Sequence, residues 1–420
     1  MSGNFLIHDL GPKGDGIHRS DQGPIYIDRA LPGDTVKAQV QRGSGGVLRG
    51  ELLEIVAPSP HRVPAPCPHF ETCGGCTLQH ADVAFYREWK TGWVRAALRK
   101  ANVEPERWEA PAFLPEGTRR RVTFAAYQNG KTVTLGYFRR RTHQVTEITT
   151  CLVAEPMIME LRNRLGPLLA PLLQPGKTTD AFIQSVGSLC EVVITGPIGE
   201  KGTPDLRVFE AAAHMAHTLK LARVSWRGRE RDEPEVLLEV APLYAAFGPL
   251  NVALPPLAFL QPTALGEQAL VSAVMDALPK QGKFTDLFSG CGTFSGPMLR
   301  RGAVDAFEGE VSAVGALDKA KDPQKLKAQQ RDLFRKPLQP DELNRYDAIV
   351  FDPPRAGAEE QAKALAACKV PRLVAVSCNP TTFARDARLL MDGGYRLESV
   401  KVIDQFTWSH HVELVAAFGR

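Results

Sequence analysis

Phe284-Thr285-Asp286-Leu287-Phe288-Ser289-Gly290-Cys291-Gly292-Thr293-Phe294-Ser295-Gly296 passes from a short apolar run into a glycine turn and then into a helical stretch. Strand, glycine turn and helix make the first unit of a doubly wound α/β domain, where a ligand approaches backbone amides at the turn. A lone Gly-x-Gly is weak evidence, so the reading depends on further strands arriving in order. Val304-Asp305-Ala306-Phe307-Glu308 reads as a second strand ending in an acid suited to ribose hydroxyls. Arg331-Asp332-Leu333-Phe334 supplies a further acid for an adenine, and Tyr346-Asp347-Ala348-Ile349-Val350-Phe351 is a buried strand ending in Asp352-Pro353-Pro354-Arg355. The full dinucleotide fingerprint is absent. An adenosine ligand without pyrophosphate fits this order of elements, and S-adenosylmethionine fits better than NAD.

The next apolar run, Leu373-Val374-Ala375-Val376, reads as a parallel strand that delivers Ser377-Cys378-Asn379-Pro380 to its carboxyl end. Open α/β sheets bind their ligands there. Asn379 before Pro380 is biased away from helix, which places Cys378 on a shaped loop. A cysteine in such a run is ordinarily a small buried hydrophobe. Its position at a strand end raises the alternative, a nucleophile.

Upstream, residues 5–56 alternate apolar and polar positions between glycine and proline turns, the pattern of a small β-barrel of the OB kind. Pro58, Pro60, Pro64 and Pro66 then stiffen a linker. Of the eight cysteines, Cys67, Cys73 and Cys76 fall in one short segment and Cys151 comes after them. In a reducing compartment such a cluster argues for ligation over disulfides. Thiolates hold zinc or an iron–sulfur cluster; Cys151 is the fourth candidate, with His69 or His80 as substitutes at a zinc site. Residues 81–101 carry helical periodicity through Val83, Tyr86, Trp89, Lys90, Trp93, Val94, Ala97 and Leu98. Asn129-Gly130 marks a hairpin between Arg119–Ala125 and Val133–Phe138.

The chain has 420 residues and a formal net charge of +4, too little alone to announce nucleic acid. Local clusters matter more: Arg119-Arg120-Arg121 and Arg139-Arg140-Arg141 stand beside Phe124, Tyr127, Tyr137 and Phe138. Basic groups beside aromatic rings offer phosphate contacts and stacking together, although a charge run is more often a solvated face. No apolar run approaches a membrane span, and the N-terminus lacks a signal-peptide pattern, so a cytoplasmic protein is expected.

Taken in order, Cys67…Cys73-Gly74-Gly75-Cys76 with Cys151, Phe259-Leu260-Gln261-Pro262, Asp286–Gly292, Asp352-Pro353-Pro354-Arg355, Ser377–Pro380 and His411-Val412-Glu413 resemble the uracil-C5 RNA methyltransferases that act on 23S ribosomal RNA. The resemblance covers nearly the whole chain. It implies an N-terminal TRAM barrel over residues 1–58, a central RNA-binding domain with an iron–sulfur site over 59–250, and a class I methyltransferase domain over 251–420. It further implies Cys378 as nucleophile, Glu413 as base, and Gln261, Phe288, Thr293, Glu308 and Asp352 as positions that bind S-adenosylmethionine. Cys67, Cys73, Cys76 and Cys151 would hold a [4Fe-4S] cluster, the two arginine triplets would grip RNA, and the enzyme would act as a monomer. The family often has asparagine where Thr293 stands and valine-asparagine where Pro262-Thr263 stand. The stretch from Glu308 to Asp352 is shortened and carries Lys319, Lys321, Lys325 and Lys327.

The residue types suit the chemistry. C5 of uracil is a weak nucleophile, and a thiolate added at C6 gives C5 carbanion character. A carboxylate can then remove the C5 proton. The alternatives are a tRNA uracil-C5 methyltransferase and a non-catalytic iron–sulfur RNA-binding assembly factor; the pairing of Cys378 with Glu413 argues against the second.

Overall fold

A computed structural model describes residues 2–130, 132–320 and 325–420, so Lys321 lies outside the described residues. Among the described residues three large sheets succeed one another along the chain, with the two-stranded ribbon Tyr244–Phe247/Leu250–Ala253 between the second and third. The first has six strands between Ser2 and Ala57, with the apolar positions Ile7, Ile25, Ile27, Val36, Ala38 and Val40 turned into a core of their own. Period-two alternation in Thr35–Arg42 produces that one-sided burial.

The second is a seven-stranded sheet running from Arg121–Asn129 to Glu235–Glu239, with the helices Pro156–Leu169 and Leu206–Leu219 packed into its core. Arg121–Asn129 and Thr132–Phe138 pair antiparallel, as the Asn129-Gly130 turn predicts. On the adjacent parallel strands Leu189–Thr195 and Arg223–Arg227, Arg223 and Glu191 form an ion pair of 2.6 Å with side-chain exposures of only 3% and 0%. Arg223 also donates to Leu254 O at 2.9 Å, tying the sheet to the segment that leads into the last domain.

The third sheet is doubly wound. Leu326–Gln330, Val304–Glu308, Phe284–Leu287, Ala348–Phe351 and Arg372–Ser377 lie side by side in parallel, and Glu413–Gly419 inserts antiparallel between Arg372–Ser377 and Arg396–Asp404. Strand order reverses between Phe284–Leu287 and Ala348–Phe351, which opens the ligand crevice at their carboxyl ends.

The helix expected at 81–101 is Val83–Lys100, capped by Asp82, whose carboxylate accepts from Phe85 N at 2.8 Å. It does not belong with the second sheet. Val94 and Leu98 pack into the core of the third, and Arg107–Trp108 and Ala112–Phe113 add to its edge strand Arg396–Asp404. An open edge is thereby covered. The span 59–250 is therefore divided between two sheets, because the apolar face of this helix has its partner in the C-terminal core.

Arg223→Met tests the buried pair between the second sheet and the linker. It leaves Glu191 enclosed without its cation, and a loss of about 3–5 kcal/mol is expected in urea denaturation. A loss below about 1 kcal/mol, the range of an exposed pair, would show that Glu191 is hydrated in solution.

Candidate active site

Four neighbouring strands deliver the site. Asp286 lies in Phe284–Leu287, Asp352 follows Ala348–Phe351, Cys378 follows Arg372–Ser377, and Glu413 begins Glu413–Gly419. Ser377 pairs with Leu414 across the antiparallel ladder, so Cys378 and Glu413 stand at the same level of the sheet. Asn379, read from sequence as part of a turn, is the N-cap of the helix Pro380–Asp392, and its side chain accepts from Thr381 N at 3.1 Å. Proline at the first helical position lacks only an N–H that no partner would have used.

A chain of amides joins the carboxyls. Gln261 Nε2 donates to Asp352 Oδ2 at 3.4 Å, while Gln405 Nε2 donates to Gln261 Oε1 at 2.8 Å and to Glu413 Oε1 at 3.5 Å. Burial sets the electrostatics. It pushes the Asp352 carboxyl up to about 7 and the Glu413 carboxyl well above its ordinary range, with Asp352 adding to the latter. Gln405 and Lys90 act in the opposite direction on Glu413. The Cys378 thiol is half-buried and pushed up to about 12, by burial first and then by Glu413 and Asp352; Arg355 opposes them.

At the switch point the glycine turn is shaped by Gly290 and Gly292, with φ of 52° and 99°. Phe288 is also left-handed at φ 64°, a conformation costly for a bulky residue and retained mostly at functional sites. Its ring lies 5.4 Å from that of Phe334. Glu308 accepts from Gly290 N at 2.9 Å, fastening the second strand's acid to the turn. Thr293 is buried just beyond. Asp286 accepts from Ser295 Oγ at 2.5 Å through one oxygen, while its other oxygen is buried without a partner. A buried, orphaned carboxylate oxygen beside Asp352 and Glu308 suits a cationic ligand such as a sulfonium or an ammonium. Asp332 turns inward to its own loop, accepting from Phe334 N at 3.0 Å and Arg335 N at 3.2 Å.

Cys67, Cys73, Cys76 and Cys151 all line one cavity of about 420 Å³, together with His69, Tyr137 and residues of the 405–411 loop. Cys73 Sγ accepts from Gly75 N at 3.3 Å. Burial pushes Cys76 up to about 12, and the other three sulfurs push it further in the same direction. Cys73 is likewise raised, by burial first, and positive charge entering the cavity would favour both as thiolates, which suits a metal cluster. Among the described residues no group of three His, Cys, Asp or Glu side chains is gathered so as to hold a metal ion. His80 lies outside this cavity, fully buried with neither ring nitrogen partnered.

The first arginine triplet is engaged by groups of the protein itself. Arg120 pairs with Glu267 at 2.6 Å and donates to Gln261 O at 2.9 Å. Arg121 donates to Leu260 O at 2.7 Å and covers the Phe259 ring at 4.6 Å, and Arg119 lies over Phe406 at 5.8 Å. Arg120 and Arg121 satisfy carbonyls of the irregular Phe259–Pro262 segment, and Arg119 donates to Arg121 O at 3.2 Å, so these donors serve the protein itself. In the second triplet Arg140 pairs with Asp28 at 3.2 Å and Arg141 with Asp15 at 3.0 Å, which ties the hairpin to the first sheet. Arg139 is exposed and donates to Gln144 at 3.2 Å. These three with Arg29 and Arg49 line an open cleft of about 590 Å³ between hairpin and first sheet.

Sequence reasoning missed Gln405 and the role of Lys90. Gln405 carries no local signal. Lys90 does: it occupies an apolar position of an amphipathic helix, where a lysine needs a buried partner.

The doubly wound third sheet, with a cysteine and carboxyls at its adjacent strand ends, is the Rossmann-like architecture of a methyltransferase domain. Residues 5–53 match the TRAM domain and residues 323–418 the tRNA (Uracil-5-)-methyltransferase family. The chain is 38% identical to an uncharacterized RNA methyltransferase of Mesorhizobium japonicum, covering 100% of this chain and 98% of that one. It is 31% identical to the 23S rRNA (uracil(1939)-C(5))-methyltransferase RlmD of Shewanella sp. strain MR-4, covering 99% and 95%. In structure it matches the Pyrococcus abyssi tRNA (uracil-54, C5)-methyltransferase in complex with S-adenosyl-L-homocysteine, with a TM-score of 0.76, 22% identity and 99% of each chain covered. The chain belongs to the S-adenosylmethionine-dependent uracil-C5 RNA methyltransferase family, and its substrate is RNA. No helix among the described residues is long and apolar enough to cross a membrane.

The environment of Cys378 gives a pH signature. Its alkylation by iodoacetamide, followed by mass spectrometry of the peptide that carries it, is expected to keep rising tenfold per pH unit through pH 10. An unperturbed thiol levels off above about 8.5. A plateau near that pH would show that the carboxyls do not act on this sulfur.

Proposed function

We propose that the enzyme methylates C5 of a uridine in 23S rRNA through a covalent bond between Cys378 and C6. The observation that carries this reading is the placement of Cys378 beside Glu413 and Asp352 at adjoining strand ends. Bound S-adenosylmethionine supplies an electrophilic methyl group. Gln261, Phe288, Glu308 and Asp352 hold it, with Thr293 behind the glycine turn. The thiol gives up its proton to a nearby carboxyl, and Asp352, at about 7, is matched to that task. Sulfur adds to C6, and the ring's electron pair becomes available at C5. After C5 is methylated, Glu413 takes the C5 proton, the C5–C6 double bond re-forms and the C6–S bond breaks. Cys378 leaves as the thiolate.

The target base must leave its stack to reach the sulfur, which favours loops and single strands. The arginine-lined cleft beside the TRAM sheet is the surface we assign to the flanking RNA. Cys67, Cys73, Cys76 and Cys151 hold a [4Fe-4S] cluster in this reading, and its role is to cross-link the segments that line the cavity. The 23S target rests on the RlmD relative.

Methyl transfer from labelled S-adenosylmethionine is expected to 23S rRNA fragments and not to tRNA. Cys378→Ala should reduce it to background, and Glu413→Gln should slow turnover by about 10²–10⁴. Transfer to tRNA alone would replace the ribosomal assignment. Anaerobically purified protein is expected to hold about four irons per chain, lost in Cys73→Ser; iron-free protein with native turnover would remove the cluster.

A further inference from the structure

Lys90 is among the largest fully buried side chains of the described residues and sits mid-helix in Val83–Lys100. Its ammonium has three donors, and all three acceptors belong to one loop. Nζ donates to Asp404 Oδ1 at 2.8 Å, to Phe406 O at 3.4 Å and to His411 O. That loop connects the strand Arg396–Asp404 to Glu413, so the lysine ties together both of its ends.

Tyr86, one helical turn earlier, completes the clamp. Its hydroxyl donates to Asp404 Oδ2 and accepts from Trp408 N at 3.0 Å. Trp408, left-handed at φ 58°, accepts through its carbonyl from Thr77 N at 2.7 Å and Leu78 N at 3.1 Å. The loop is thus anchored to the cysteine segment at its tip and to Lys90 at its base.

We propose that Lys90 is a positioning residue for Glu413: its ammonium, paired with Asp404 at 2.8 Å, fixes the 404–411 loop that leads into the carboxylate presented to Cys378. This rests on Glu413 being the base that takes the C5 proton. The groups bearing on that carboxylate are Asp352 and Cys378 from neighbouring strands, Gln405 from the loop and Lys90 from the helix. Asp404 and Tyr86 face Lys90, and His410, His411 and Arg355 surround the loop. Glu267 on the neighbouring helix Ala264–Ala277 is paired with Arg120. Lys90 is thus the cation that favours the ionised base.

The effect falls on one step. Adduct formation needs Cys378, whereas resolution needs the Glu413 carboxylate to take the C5 proton as the C6–S bond breaks. Single-turnover reactions with substrate RNA and S-adenosylmethionine separate the two, with the covalent complex read on denaturing gels across a pH series. Lys90→Met is expected to form the complex at close to the wild-type rate and to resolve it at least about tenfold more slowly. Removing a cation raises a neighbouring carboxyl's pKa, so the pH midpoint of resolution should move upward by about one unit. Asp404→Asn, which loosens the loop but keeps the ammonium, is expected to slow resolution with a smaller midpoint shift and stands in should Lys90→Met not fold. Equal slowing of both steps, or an unchanged midpoint in Lys90→Met, would overturn the proposal. Wild-type enzyme that methylates RNA with no covalent complex would remove the Cys378 and Glu413 assignment itself, and Lys90's role with it.

Discussion

Carboxyls and a thiol crowd together at the ends of adjacent strands, in surroundings that penalise charge on every one of them. Asp286, Asp352, Cys378 and Glu413 are each displaced upward by burial. Enclosed anions of like sign cannot all ionise without compensating cations. The site is therefore poised to accept positive charge, from a sulfonium on the donor side and from Lys90 on the base side. Much of the surrounding structure supports this arrangement. The insertion of Glu413–Gly419 antiparallel beside Arg372–Ser377 brings carboxyl and thiol together, and the amide chain through Gln261 and Gln405 joins Glu413 to Asp352.

The parts of the chain that precede the methyltransferase domain are built into it. The helix Val83–Lys100 packs on the catalytic sheet, and the cysteine segment is bonded to the loop before Glu413. Arg120 and Arg121 brace the loop that carries Gln261. A sheet expected to contact RNA is thus mechanically continuous with the donor site.

How much of the molecule was legible in the sequence depends on how local each signal is. The strand Leu373–Val376, the glycine turn after Leu287 and the Asn129-Gly130 hairpin rest on neighbours in the chain, and each stands where it was expected. The arginine triplets were legible as charge but not as to their destination, since the partners of Arg120, Arg121, Arg140 and Arg141 lie more than a hundred residues away. Asn379 satisfied the rule against helix before proline and still began one, because an N-cap is itself extended, at φ −136°. Gln405 could not be found at all; its function comes from two strands and a loop meeting in space. Lys90 stood in plain view as a lysine on an apolar face, and only the buried Asp404 explains it.

The central claim is that Cys378 adds to C6 of uracil before C5 is methylated. Fluorine at C5 cannot leave as a proton does, so RNA substituted with 5-fluorouracil should trap the thioether. Incubated with S-adenosylmethionine and run on a denaturing gel, wild-type protein is expected to carry the RNA to a slower band that Cys378→Ala lacks, with the adduct mapping to Cys378. Absence of that band from a preparation that binds both RNA and donor would contradict covalent catalysis by this cysteine.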